Sequence, residues 1–210
     1  MSSCSTGNPG ENDHGRLATL GGLRVGTIKV CEAPSDVTRC AGWAGYGYCA
    51  SHSRFYWGLR LFLVCTPTGM PITWALASPK IDEREVLAAM LDREPGLTAE
   101  RPGLLLIADK GFASKEFEAD LAFQGAELLR PFFKREKRRK GESLLKSVRQ
   151  LIESVNDTLK GQLDLEHHGG RTFEGVAVRV AQRILAMASA IWHDHKTGQP
   201  VLRSLTAFDH

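Results

Sequence analysis

The chain has 210 residues, 42% of them hydrophobic, and a formal net charge of +3 at pH 7. That is enough apolar material for one domain with a substantial core, and too little net charge for the whole molecule to be a polycation. Residues 1–15 lack the apolar segment of a signal peptide, and no apolar run nears the ~18 residues that span a bilayer. The five cysteines (Cys4, Cys31, Cys40, Cys49 and Cys65) are odd in number and fit no disulfide framework, so a reducing cytoplasm is the simpler setting.

Residues 1–20 are poor in apolar side chains and are expected to be disordered or loosely attached. Residues 23–30 (LRVGTIKV) predict a strand, weakened by Gly26. Residues 42–53, rich in glycine with Trp43, Tyr46 and Tyr48, read as a loop or hairpin tip. A long strand over 55–66, a turn at Pro67-Thr68-Gly69 and an antiparallel partner over 71–77 come next. A helix over 82–92 turns Val86, Leu87, Met90 and Leu91 inward. The short apolar run 104–108 predicts a buried strand, and Asp109-Lys110-Gly111 ends it. Ser114 then caps a helix with Phe117, Leu121 and Phe123 inward, and residues 126–131 form a strand ended by Pro131.

From Leu144 the period becomes helical, with Val148, Leu151, Ile152, Val155 and Leu159 on one stripe. A final helix over 172–192 is apolar around most of its circumference (Val176, Val178, Val180, Ile184, Leu185, Met187, Ile191) and is expected to be buried on the sheet. The main domain covers 21–196 and a tail 197–210. Periodicity alone supports a mixed α/β domain.

The chemistry concentrates in two places. An Asp just past a buried strand sits at the open edge of a sheet, where ligands of α/β folds collect. Downstream, Arg149, Glu153, Asp157 and Lys160 fall at offsets of four, eight and eleven, roughly on one helix face. A strand-end Asp109 and a mid-helix Glu153, with basic residues a turn away, are suited to holding a divalent cation beside a phosphate. Between them residues 134–140 (KREKRRK) carry six basic residues and one Glu, either a solvated loop or a phosphate-backbone contact.

At these residues the chain resembles the DDE transposases of bacterial insertion sequences that carry a Tyr-x2-Arg-x3-Glu-x6-Lys signature. Arg149, Glu153 and Lys160 match it, and Lys146 replaces the Tyr. Asp109-Lys110-Gly111-Phe112 matches the second acidic position, and residues 42–80 resemble the preceding hairpin. The likeness spans roughly residues 41–210, with residues 1–40 atypical or truncated.

The resemblance implies a ribonuclease-H-like mixed sheet with flanking helices, and metal-dependent cleavage and strand transfer at transposon ends with Mg²⁺ (or Mn²⁺). That chemistry places two ions about 3.5–4 Å apart, held by a few carboxylates. Asp109 and Glu153 would be its catalytic and metal-binding acids. DNA, both transposon ends and target, would contact Lys134, Arg135, Lys137, Arg138, Arg139, Lys140, Arg149 and Lys160. A homodimer on DNA, no membrane, and a cytoplasmic, nucleoid-associated location complete the expectation.

One acid is missing. The family's first carboxylate belongs on the first strand, and residues 23–30 hold no Asp or Glu. The matching position, before Gly26-Thr27, is Val25; Glu32 and Asp36 lie beyond the strand as displaced substitutes. If the carboxylate was lost at Val25, then Val25→Asp should restore metal-dependent nicking.

Three functions are therefore carried forward: a transposase or its catalytically impaired remnant, a non-catalytic DNA-binding protein that occupies transposon ends or modulates an active relative, and a ribonuclease-H-like nuclease of other nucleic acid. Cys31, Cys40, Cys49 and His52 have spacings unlike compact zinc sites. His167-His168 reads as a solvated pair, and His193-Asp194-His195 as charges at a helix C-terminus. Neither a P-loop nor a Gly-x-Ser-x-Gly motif is present.

Overall fold

The computed structural model describes residues 23–30, 42–49, 54–134, 136 and 141–208. Six strands form one sheet: β1 (Leu23–Val30), β2 (Gly45–Cys49), β3 (Arg54–Cys65), β4 (Pro71–Ala77), β5 (Leu104–Ile107) and β6 (Ala126–Leu129). β3 pairs antiparallel with β1, β2 and β4, while β1–β5 and β5–β6 are parallel. β4-β3-β1-β5-β6 is the order of a ribonuclease-H-like sheet, as the resemblance implied. The helices are α1 (Glu83–Arg93), α2 (Gly96–Ala99), α3 (Lys115–Phe123), α4 (Glu142–Asp157) and α5 (Phe173–Thr197).

β2 occupies residues read from sequence as a loop or hairpin tip. Glycine suppresses strand propensity, and in Gly45-Tyr46-Gly47-Tyr48 it masks the two tyrosines, which favour strands. Pairing explains it: the glycines are buried and the tyrosines exposed, alternating with period two. Tyr46 packs edge-on against its cross-strand partner Trp57 at 4.6 Å, and Tyr48 tilts over Phe55 at 5.1 Å. A Cβ on Gly47 would lie 2.5 Å from the Tyr56 ring, so only glycine lets that ring lie flat there.

Each face of the sheet covers a core. On one, Leu23, Val25, Phe62, Val64, Leu104 and Leu106 pack with Val86, Leu87 and Leu91 of α1 and with Phe117 and Leu121 of α3. Asp82 caps α1 by accepting from Arg84 N at 2.9 Å, and Ser114 caps α3 by accepting from Phe117 N at 3.3 Å. Phe123, expected inward, is 95% exposed because it closes the last turn of α3 beyond the sheet contact. On the opposite face Ile28, Leu59, Leu61 and Leu63 meet Val155 and Leu159 together with Val176, Val180, Ile184 and Met187 of α5.

By length and composition α5 is the one described helix that could cross a membrane. Its Val176, Val180, Ile184, Met187 and Ile191 are nevertheless packed on the sheet, whereas Val178 and Leu185 point outward, against expectation.

The C-terminal tail folds back onto the domain. Arg203 Nε donates to Ser154 Oγ at 3.0 Å, Gln162 Nε2 to Ser204 Oγ at 2.9 Å, and Leu202 N to the buried Asp194 carboxylate at 3.1 Å. Asp194 is therefore a capping acceptor for the tail as well as part of a helix end.

His168 is buried rather than solvated, and its Nδ1 accepts a hydrogen bond from Gly170 N at 2.9 Å. An accepting Nδ1 is the neutral imidazole, and burial lowers its pKa, helped by Arg183 and Arg179. The sign follows: with the folded pKa below the unfolded value near 6.5, the unfolded chain binds the extra proton in between. Stability from this site should be complete above pH ~6.5 and decline as pH falls toward the folded pKa. His168→Asn, which keeps an acceptor, should flatten that decline in urea melts taken as a function of pH; an unaltered slope would refute the assignment.

Candidate nucleic-acid and metal site

Asp109 follows β5 in extended backbone, φ −76° and ψ 171°, and opens the tight turn Lys110–Phe112. It is exposed, as expected for an acid at the open end of the sheet. It lines an open cavity of about 350 Å³ with Ile107, Pro131, Val148, Arg149 and Ile152. The structure thus brings the strand-end acid and the signature arginine of α4 to one hollow. Ile107, Leu129 and Val148 form the apolar floor that docks α4 there.

Glu153 lies one turn beyond Arg149 and does not line that cavity. Its carboxylate accepts from Arg149 Nε at 3.0 Å, and both side chains are exposed. Lys160 sits in a π-helical turn, Thr158–Gln162, that follows α4 directly. That widened turn shifts the helical phase, so Lys160 leaves the Arg149–Glu153 line and its Nζ lies 3.4 Å from Glu166. Asp157 ends α4 and is exposed. Of the basic run, Lys134 is exposed; Arg135, Lys137, Arg138, Arg139 and Lys140 lie outside the described residues, as do Glu32, Asp36, Cys31, Cys40 and His52.

Two sets of charged groups near this end of the sheet escaped the sequence reading. Glu83, in the first turn of α1, sits against the Lys110–Phe112 turn, where a Cβ on Gly111 would come within 2.5 Å of its Oε2. Arg60 of β3 donates to Glu83 at 2.5 Å. Burial raises the Glu83 pKa, Arg60 opposes that, and the Asp109 charge raises it again. An acid in a first helical turn looks like ordinary dipole compensation, which hides Glu83. The one visible signal was Arg60, a lone charge in the otherwise apolar Leu59–Val64 stretch of β3.

The second missed group is Arg130, buried just past β6. It donates to Glu118 at 2.8 Å and to both oxygens of Glu136 at 2.9 and 3.0 Å. Glu136 is the sole acid of the 134–140 run, and it also accepts from Phe133 N at 3.0 Å. Its charge is turned onto Arg130.

The donor set does not fit a two-ion centre. Val25 is 2% exposed and belongs to the apolar core against α1, on the face away from α4. The parallel pairs Leu23↔Leu106 and Arg24↔Ile107, carried on two residues, bring Gly26 level with Asp109. Gly26 is also the position facing α4, since its added Cβ would meet Ile152 Cγ2 at 3.2 Å. Neither position offers an oxygen. Among the described residues no group of three or more His, Cys, Asp or Glu is placed to hold a metal.

Residues 26–188 match the family described as Transposase DDE domain. This chain belongs to that family. A piggyBac transposase synaptic complex with hairpin DNA shares the fold of this DDE domain, with a TM-score of 0.56 at 9% sequence identity. The alignment covers 86% of this chain and 49% of the other, so the chain spans about half the length of that transposase. A search of curated proteins returned no similar sequence.

Proposed function

We propose that this DDE domain acts on transposon-end DNA of an insertion sequence, and that it holds DNA while being impaired in cutting it. The observation that carries the reading is the end of the sheet. Asp109 and Arg149 share an open hollow, while β1 presents only Gly26 and the buried Val25 where the first carboxylate is required. Arg149 is exposed and able to meet a phosphate once it releases Glu153; a guanidinium suits that geometry. Family membership supports DNA as the partner. A divalent ion, Mg²⁺ or Mn²⁺, belongs to the family's chemistry, and here it would find Asp109 and Glu153 without a bridging third acid.

The test combines gel-shift binding with nicking of transposon-end duplexes in Mg²⁺ or Mn²⁺. Binding with nicking absent or greatly reduced is expected. Efficient cleavage at defined end positions, abolished by Asp109→Ala and by Glu153→Ala, would show an intact enzyme with its first acid elsewhere. The lost carboxylate equally favours a second reading, a non-catalytic protein that occupies ends or modulates an active relative. In that case Glu153→Ala should weaken neither DNA binding nor any effect on the active relative.

A further expected result concerns the basic run. Replacing Lys137, Arg138, Arg139 and Lys140 together with Ala should weaken binding to duplexes of any sequence alike. It should also flatten the dependence of log affinity on log salt by about 3–4 units of slope. An unchanged slope would make the run a solvated surface segment.

A further inference from the structure

The outer face of α5 carries a row of large apolar side chains left exposed to solvent, with Lys196 of the same helix reaching over the last of them, Trp192, its Nζ 6.0 Å from the ring centroid. Val178, Leu185 and Trp192 are 56%, 66% and 57% exposed. At intervals of seven they lie on one stripe of the helix. The opposite face is already used against the sheet, so the row is surplus to this fold. Exposed Glu174 and Lys196 end the row, each eleven residues from Leu185 and hence on the same stripe.

That spacing is symmetric about Leu185. A second α5 laid antiparallel would set Leu185 on the partner's Leu185, Val178 on the partner's Trp192, and Glu174 on the partner's Lys196. The small residues follow the same symmetry, with Ala181 opposite the partner's Ser189. Two backbones can therefore approach closely beside the dyad. Trp192 and Phe208 border an open groove of about 700 Å³ floored by Ala186, Ser189 and Ala190, next to where the partner's Val178 falls.

We propose that this stripe is a self-association surface, through which two copies of the chain pair α5 against α5, antiparallel, about a two-fold axis at Leu185. An isologous contact demands a self-complementary patch, and this one is complementary in both apolar order and end charges. From Glu174 to Lys196 the contact runs about 33 Å. Phe208 widens it at each end. The inference is independent of whether the DDE domain cuts DNA.

Sedimentation equilibrium of the full chain across micromolar concentrations tests it. A monomer–dimer equilibrium is expected. Leu185→Glu sets two carboxylates together at the dyad and should raise the dimer Kd at least ~30-fold. At so exposed a site, far-UV circular dichroism should stay that of the parent, and so should the melting temperature at concentrations where the parent is monomeric. Glu174→Lys and Lys196→Glu should each weaken the dimer about 10-fold, and the double variant should restore it, because reversal of both ends re-forms the pairs in trans. A chain that remains monomeric, a dimer indifferent to Leu185→Glu, or charge reversals that fail to rescue each other would overturn the proposal. Insertion of α5 into lipid vesicles as a monomer would do so as well.

Discussion

Val25→Asp should cost the domain about 4–5 kcal/mol and create no nicking activity. Sequence matching alone made Val25 the vacancy of the first catalytic acid and predicted the opposite result. The structure reverses it, because strand alternation points Val25 into the core with Phe62, Val64, Leu87 and Leu106, apolar side chains that cannot receive a carboxylate. An Asp there must stay protonated or unfold its surroundings, and no ion can reach it to repay the burial. Gly26→Asp is the informative contrast. That position is level with Asp109, faces α4, and meets only the half-buried Ile152. It should cost about 1–3 kcal/mol of crowding, considerably less than the core substitution. Urea denaturation of both variants beside the parent, with nicking assays in Mn²⁺, decides the matter. A stable, active Val25→Asp enzyme would mean that β1 is turned the other way.

The contrast shows where sequence reading reaches its limit. Residue spacing was sufficient for α1, whose inward Val86, Leu87, Met90 and Leu91 follow directly from the 3.6-residue period. It was sufficient too for β4, bounded by a Gly69 turn at φ 94°. In each case one local pattern decides the outcome. The direction of Val25 depends on pairing with β3 and β5, which no local pattern encodes. β2 was missed because its glycines make room for Tyr56, a residue of another strand. Lys160 left the expected line because five residues adopt a π-helical turn, and nothing in Thr158–Gln162 marks it. Of the candidate site, the meeting of the Asp109 strand end with the Arg149 helix was legible, although the pair expected there was Asp109 with Glu153, which lies outside the hollow; Arg60, Glu83 and Arg130 were not, since each is defined by partners 6 to 23 residues distant.

Arg130→Met should lower stability by about 2–3 kcal/mol and the melting temperature by about 4–10 °C. The guanidinium is buried where β6 ends and binds Glu118 and Glu136 at once, and those carboxylates keep it firmly charged. Methionine fills a similar volume, so the loss measures the removed charge rather than a cavity. The figure is lower than that for a fully buried pair because Glu118 and Glu136 are partly exposed and water screens them when the arginine is gone. Arg130→Lys should recover little, since one ammonium cannot reproduce the fork that spans two carboxylates.

The consequence extends to the site. Pro131 lines the Asp109–Arg149 hollow, and Arg130 Nη1 also donates to the Pro131 carbonyl at 3.3 Å. Glu136, once released, would set its negative charge among the basic residues of the 134–140 run. DNA affinity should therefore fall in Arg130→Met at temperatures where the variant is still fully folded, and Arg130→Met/Glu136→Gln should recover part of it. Recovery of binding without recovery of stability would separate the electrostatic role of Glu136 from its structural one. A variant as stable as the parent would show instead that the two carboxylates do not depend on Arg130.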